Sequence, residues 1–419
     1  MDALNNNFAQ FQAMNAAINQ NQAMMQQQRA RLLQQQNVRM EGPGPERAQA
    51  GTLYVHDSFV PSNPEQAFNP ARNPHGIQVA RSARRQGFQG QIVGSENSLT
   101  RRQQTAFNHR NNLSTPNANR EQVLRDIRGY TENITSGLLD GRSDRLDQLR
   151  QRGARNSSVN FSQGESRAST TSALYDSAAR AWSPDPSLNQ VDRLMAGNAV
   201  DNYARAFGLD AGKLRDSNPR VSGPERQRLQ QRLAGLVDQT YNTSPTLRNS
   251  QQRYDRAVNQ FEAGRNSVVV SAGNEFDYLD LMARDAGGRR INAGENFTRN
   301  VLENEAVTSV GATRWFQNGN SLREVRAGYS SRGPGVDIYA SGSLGNNNHS
   351  RMDTAGTSFA APRVAATMAE LHRRNPTMSS AQVERLMRDN LTHGLSDSRG
   401  QMEVLDHQRT ADFLARGTF

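Results

Sequence analysis

Ser358 stands at the mouth of a helix built to be buried. Gly356-Thr357-Ser358-Phe359-Ala360-Ala361-Pro362 leads into a stretch where Val364, Met368 and Leu371 recur at helical spacing. Ala360, Ala361, Ala365, Ala366 and Ala369 fill the turns between, so the helix can pack tightly on several sides. Its N-terminus then aims unsatisfied N–H groups and the positive end of the helix dipole at whatever reacts with Ser358. A nucleophilic serine needs that environment, and Pro362 in the first turn is compatible with it. A serine that merely caps a core helix would read the same way locally. A second stretch, Val268-Val269-Val270-Ser271-Ala272-Gly273-Asn274, reads as a short buried strand running into a glycine turn and an amide side chain.

The run from Gly356 to Pro362 matches G-T-S-x-A-x-P in full, and so resembles the subtilisin-like serine proteases (subtilases, peptidase family S8). Three further stretches resemble the family in chain order. The resemblance makes Asn274 the oxyanion-hole side chain, beside the Ser358 N–H, for the oxygen that turns negative when a peptide carbonyl is attacked. Pro74-His75-Gly76-Ile77-Gln78-Val79-Ala80 resembles H-G-T-H-V-A, with Ile77 and Gln78 departing from it. It implies His75 as general base, with Gly76 letting the helix approach the serine closely. Leu53-Tyr54-Val55-His56-Asp57-Ser58-Phe59 keeps the Asp-Ser of the D-[ST]-G strand and loses its glycine. Asp57 is then the residue that orients the imidazole, in the subtilisin chain order Asp, His, Ser. The separation of 18 residues between Asp57 and His75 is short for the family, and His56 stands next door as the rival histidine.

Other segments extend the resemblance to about residues 51–415. Ser158-Val159-Asn160-Phe161-Ser162-Gln163-Gly164 resembles the substrate-lining strand that ends S-x-G, which implies Ser162, Gln163 and Gly164 as substrate contacts. Glu275, directly after Asn274, falls at the rim of the pocket for the side chain before the scissile bond. Val307–Ala312 reads as a strand, and Ala327–Gly342 resembles S-x-x-G-x-x-V-D-I-x-A-P-G. Asn375-Pro376-Thr377 caps a helix through Ser380 to Leu391, before a closing strand from Gln401 to Asp406.

What this implies is an α/β protein: a three-layer subtilisin-like fold with a mostly parallel central sheet flanked by helices. Residues 51–419 form the peptidase domain, with a helical insertion at about 180–262. Within it, Ser222-Gly223-Pro224-Glu225 reads as a capping box opening a helix with Leu229, Leu233, Leu236 and Val237 on one face. Such an insertion serves either as a lid, exosite or partner-docking element or as an extra stabilising layer. Residues 1–50, with Asn5-Asn6-Asn7 and Gln34-Gln35-Gln36, form a low-complexity tail, disordered or loosely helical, expected to contribute nothing to the core.

The tail has no basic segment followed by an apolar one, so it does not read as a Sec signal peptide, and no run of 18 apolar residues suggests a membrane span. The absence of cysteine excludes disulfides and thiolate metal sites. The net charge of +10 rests on 49 arginines and one lysine, Lys213. That scarcity of lysine fits lineage bias, avoidance of a lysine-directed self-cleavage, or exposure to ubiquitin after export into a eukaryotic cell. The arginines are scattered among carboxylates, and no base-reading fold accompanies them, so nucleic acid is not an expected partner. The expected activity is that of a serine endopeptidase on polypeptide substrates, with no cofactor required. Relatives often carry structural calcium, but no acidic loop here has clear ligand spacing. The competing reading is an inactive subtilisin-like scaffold.

Overall fold

In the computed structural model, residues 20–42, 49–60, 73–275, 297–318, 321–333, 335–344, 355–398 and 400–416 are described. At the centre, β2 (Leu53–Asp57), β4 (Ser158–Phe161) and β5 (Ser267–Ser271) are buried at every position. Strands covered on both faces by helices have this character, near-continuous runs of apolar or small residues rather than alternation. The remaining strands are β1 (Val38–Met40), β3 (Ile92–Glu96), β6 (Val307–Asn318), β7 (Ser321–Arg326), β8 (Ile338–Ser341), β9 (Thr392–Asp397) and β10 (Gly400–Leu405). Their order is β1-β3-β2-β4-β5-β6-β8-β10-β9, with β7 off this path against β6. Among the described residues, only the β6–β7 and β9–β10 strand pairs are antiparallel.

Register decides what the sheet presents. Val55 lies opposite Asn160, and Asn160 opposite Val269. The carboxyl ends of β2, β4 and β5 therefore emerge side by side, the edge at which open parallel sheets place their ligands. Asp57 ends β2, Ser162 follows β4, and Asn274 follows β5.

One face of the sheet is covered by α1 (residues 20–35), α2 (His75–Arg85), α10 (Thr357–Arg374), α11 (Ser380–Leu391) and α12 (His407–Arg416), which share one apolar core. The other face is covered by α9 (Pro245–Glu262) and the second half of α4 (Arg120–Gln151). A third core, free of strands, joins α3 (Arg101–Asn112), the first half of α4, α5 (Arg167–Ala179), α6 (Gln190–Phe207), α7 (Ala211–Arg215) and α8 (Pro219–Thr243). The helical addition is thus wider than residues 180–262 at its start and narrower at its end. It recruits α3 and half of α4, while Tyr254, Val258 and Phe261 of α9 pack on the sheet.

The tail also differs from its composition. Leu32 and Val38 are buried in the first core, and β1 pairs in parallel with β3. A few apolar residues suffice where a sheet edge supplies the backbone partners; residues 1–19 lie outside the described residues. Two helix starts are also displaced. α8 begins a turn early, with Asn218 accepting from the Arg220 N–H at 3.0 Å, which leaves Pro224 inside the helix. For α11 the cap is Ser379, in a capping box with Gln382, rather than Asn375-Pro376-Thr377.

Candidate active site

Asp57 is fully buried at the end of β2, and its carboxylate accepts from three donors. Oδ1 accepts from the Ser58 N–H at 2.7 Å and from Gln163 Nε2 at 3.0 Å. His75 Nδ1 lies 2.8 Å from Oδ1 and 2.9 Å from Oδ2. A carboxylate only accepts, so Nδ1 carries the proton and Nε2 keeps its lone pair. Burial pulls the His75 pKa down, but the charge of Asp57 and its hydrogen bond outweigh this and leave it above the ordinary 6.5.

His75 is the first residue of α2, and Gly76 is needed there for a reason other than the one its motif suggests. A Cβ on Gly76 would meet the ring of Phe59 at 2.8 Å, and its N–H bonds Ser58 O at 2.7 Å. The close approach is between α2 and the exit of β2, not between α2 and Ser358. His56, the rival histidine, bonds Ser95 Oγ through Nδ1 at 2.9 Å. Burial, and after it Arg142 and Arg145, hold its pKa well below 6.5. Its ring packs edge-on against Phe161, with 6.0 Å between the ring centres.

Ser358 is the second residue of α10, tied to Ser162 in both directions: Ser162 Oγ donates to Ser358 O at 2.8 Å, and Ser358 Oγ donates to Ser162 O at 2.9 Å. Since Gln163 holds Asp57, adjacent residues after β4 link the serine to the Asp57–His75 pair. α2 and α10 also meet directly, through Ser82 Oγ donating to Phe359 O at 2.6 Å and the Phe359 ring lying 5.6 Å from that of His75.

Asn274 leaves β5 through Gly273, whose φ of 104° favours glycine. Its Oδ1 accepts from the Thr357 N–H and from Thr357 Oγ1, each at 2.9 Å. Two donors fix that end of the amide as oxygen, so Nδ2 is the end left to donate. Glu275 folds back so that its Oε2 accepts from the Asn274 N–H at 3.0 Å, and burial raises its pKa.

A cavity of about 190 Å³ beside Ser358 is lined by Ser162, Gln163, Gly164, Asn274, Glu275 and a residue the motifs did not mark, Glu165. Burial pushes the Glu165 carboxyl up to about 7, although Ser169 Oγ and, at 3.0 Å, Thr170 Oγ1 donate to it. Its only sequence signal is adjacency to Gly164. A larger cavity, about 780 Å³, lies among Arg85, Arg363 and Trp315, away from these residues. Among the described residues no group of three or more His, Asp or Glu could hold a metal ion, and no helix is long and apolar enough to cross a membrane.

A model described as the subtilase family, peptidase S8, matches residues 156–408, which is 253 of 419 residues. The chain belongs to the subtilase family. Its members are normally serine endopeptidases, and the family acts on polypeptides. The matched span contains Ser162, Asn274 and Ser358 but neither Asp57 nor His75. Among solved structures, this subtilase is similar to a lanthipeptide protease, with 12% identity, 87% of each chain covered and a TM-score of 0.36. It is similar also to a chain described under subtilase cytotoxin SubAB assembly, with 13% identity, 91% of this chain and 90% of the other covered, and a TM-score of 0.34. A protease from Pseudoalteromonas arctica gives 18% identity, 41% and 47% coverage, and a TM-score of 0.24. At these TM-scores none of the three bears on the activity of this subtilase. Among curated proteins none matches.

Proposed function

We propose that this subtilase is a serine endopeptidase working through Asp57, His75 and Ser358, with Asn274 in its oxyanion hole. The observation that carries the reading is the Asp57–His75 pair, in which a fully buried carboxylate holds Nδ1–H with both oxygens. Ser358 Oγ attacks the peptide carbonyl carbon while His75 Nε2 takes its proton, and the carbonyl π pair moves onto oxygen. Asn274 Nδ2–H and the Ser358 N–H at the start of α10 stabilise that oxygen. Collapse expels the amine, which receives the proton from His75, and water repeats the sequence to release the acyl group. None of these steps calls for a metal. Ser162, Gly164 and Glu275 line the cavity that would receive the substrate side chain before the scissile bond.

One observation favours the competing reading of an inert scaffold: the Ser358 hydroxyl donates to Ser162 O rather than to an imidazole. On the enzymatic reading this is a resting rotamer, and rotation about one side-chain bond frees the hydroxyl. A fluorophosphonate probe decides between them. Labelling of the wild type, lost in Ser358→Ala and strongly slowed in His75→Ala, is expected; an unlabelled, folded wild type sinks the enzymatic reading.

A further inference from the structure

Gln163 belongs to a stretch that resembles a substrate-lining strand, yet its side chain is committed elsewhere. Its Nε2 donates to Asp57 Oδ1 at 3.0 Å, and its Oε1 accepts from Asn97 Nδ2 at 2.8 Å. Asn97 Oδ1 in turn accepts from Arg142 Nη1 at 2.9 Å. Arg142 comes from the second half of α4 and is 1% exposed; its guanidinium lies 5.1 Å from the centre of the Phe161 ring, and its Nη2 reaches Gln163 O at 3.4 Å. Among the described residues it makes no ion pair. Burial pulls its pKa down to about 10, and Asp57 is the first charge that acts against this.

The order of atoms along this chain has only one solution. A guanidinium has donors and no acceptor, and a carboxylate has acceptors and no donor. Two amides placed between them satisfy every contact only if Asn97 turns its oxygen to Arg142 and Gln163 turns its nitrogen to Asp57. Flipping either amide sets oxygen against oxygen or nitrogen against nitrogen at two contacts. The cation behind the site therefore fixes the sense of both amides, and each polarises the next toward Asp57.

We propose that Arg142, Asn97 and Gln163 form a one-way relay of positioning residues that holds the Asp57 carboxylate in the plane where it grips His75. The proposal rests on the reading of Asp57 and His75 given above. It assigns Gln163 to the aspartate rather than to substrate, and it gives a buried arginine with no ion-pair partner a task. The Ser58 N–H and the relay both donate to Oδ1, the oxygen that His75 Nδ1 also meets at 2.8 Å. Without the relay Asp57 keeps its charge but loses a charge-assisted donor, and it then samples rotamers that His75 cannot follow.

The test is a double-mutant cycle in the full-length protein with a short chromogenic peptide. Gln163→Leu is expected to lower kcat by about tenfold, the scale of one hydrogen bond to a charged group, with KM unchanged. In an Asp57→Ala background the same change is expected to cost nothing further, because the relay then has no acceptor. Asn97→Ala and Arg142→Met are expected to lower kcat by a similar factor, and neither adds to Gln163→Leu. Asn97→Ala serves where Arg142→Met does not fold, since the Asn97 N–H to Asp57 O bond of 2.9 Å is retained. A rise in KM at constant kcat on Gln163→Leu would return Gln163 to the substrate wall and overturn the relay. So would an equal loss in the Asp57→Ala background, provided Asp57→Ala is itself strongly impaired. An Asp57→Ala enzyme as active as wild type overturns the triad reading and the relay with it.

Discussion

Asn274 and Ser358 stand in stretches that follow the family pattern and lie within the matched residues 156–408, whereas Asp57 and His75 stand in stretches that depart from it and lie outside. In the first region contiguous residues build the element that carries each side chain, although Thr357 then fixes the Asn274 amide and Ser162 ties Ser358 from 83 and 196 residues away. Three consecutive valines end in a glycine turn that delivers Asn274, and an alanine-rich helix delivers Ser358. In the second region the local pattern is broken and partners from elsewhere stand in: Asp57 is held by Gln163, 106 residues away, as well as by the adjacent Ser58 N–H. Phe59, where the pattern has glycine, fills the space that Gly76 leaves open and braces α2. Where the pattern departs, Phe59 fills the space and Gln163 supplies a donor to Asp57.

If the departing region is as competent as the conforming one, His75→Ala should cost as much as Ser358→Ala. Both are expected to lower kcat by about 10⁶, a scale drawn from subtilisin, a member of the same family. Asp57→Ala is expected to cost about 10⁴ on the same scale. Single-turnover assays on a chromogenic peptide measure all three, and His75→Ala retaining more than a few per cent of wild-type kcat would break the comparison. Asn274→Ala sharpens it from the conforming side, with an expected fall in kcat of about 10² to 10³ and little change in KM. A KM effect alone would make Asn274 a turn residue.

The pH profile probes the departing side without mutation. The general base must be neutral to act, and Asp57 holds the His75 pKa above 6.5. The acid limb of kcat/KM is therefore expected to turn above pH 6.5 and to be fully developed only above that midpoint. A midpoint below 6.5 would mean that burial, not Asp57, dominates. The smallest expected effect belongs to Glu275, where a preference for basic over apolar residues before the scissile bond should not exceed about tenfold. Glu275→Gln should reduce it, and an unchanged Arg-to-Leu ratio at low and high salt in both proteins removes the electrostatic role.

Ser358 and Asn274 were legible because contiguous residues carried both the element and the chemistry. Asp57 and His75 were legible only as fragments, since Phe59, Ile77 and Gln78 break their patterns and the bond between them is not a local property. The relay as a connected chain was not legible. Asn97 and Gln163 are ordinary polar residues whose partners are 45 and 106 residues away in sequence. Arg142 carried one usable signal: it interrupts the apolar stripe of Leu138, Leu139, Leu146 and Leu149 on α4, a place where a charge needs a reason. The sheet edge was hidden for the opposite cause, because its few apolar residues, Leu32, Leu33, Val38 and Met40, are split by a polar Gln-Gln-Gln-Asn run.

The length of α4 has a mechanical consequence. Its 32 residues make a continuous rod about 48 Å long. Val123, Ile127, Tyr130 and Ile134 root one end in the strand-free helical core, and Leu146 and Leu149 fasten the other to the sheet. Arg142 is mounted on the fastened end, one helical turn before Leu146. The helical addition and the arginine behind Asp57 are therefore mounted on one uninterrupted helix. The two cores share this helix, so the strand-free core cannot be excised from the chain without cutting α4 between Ile134 and Leu138.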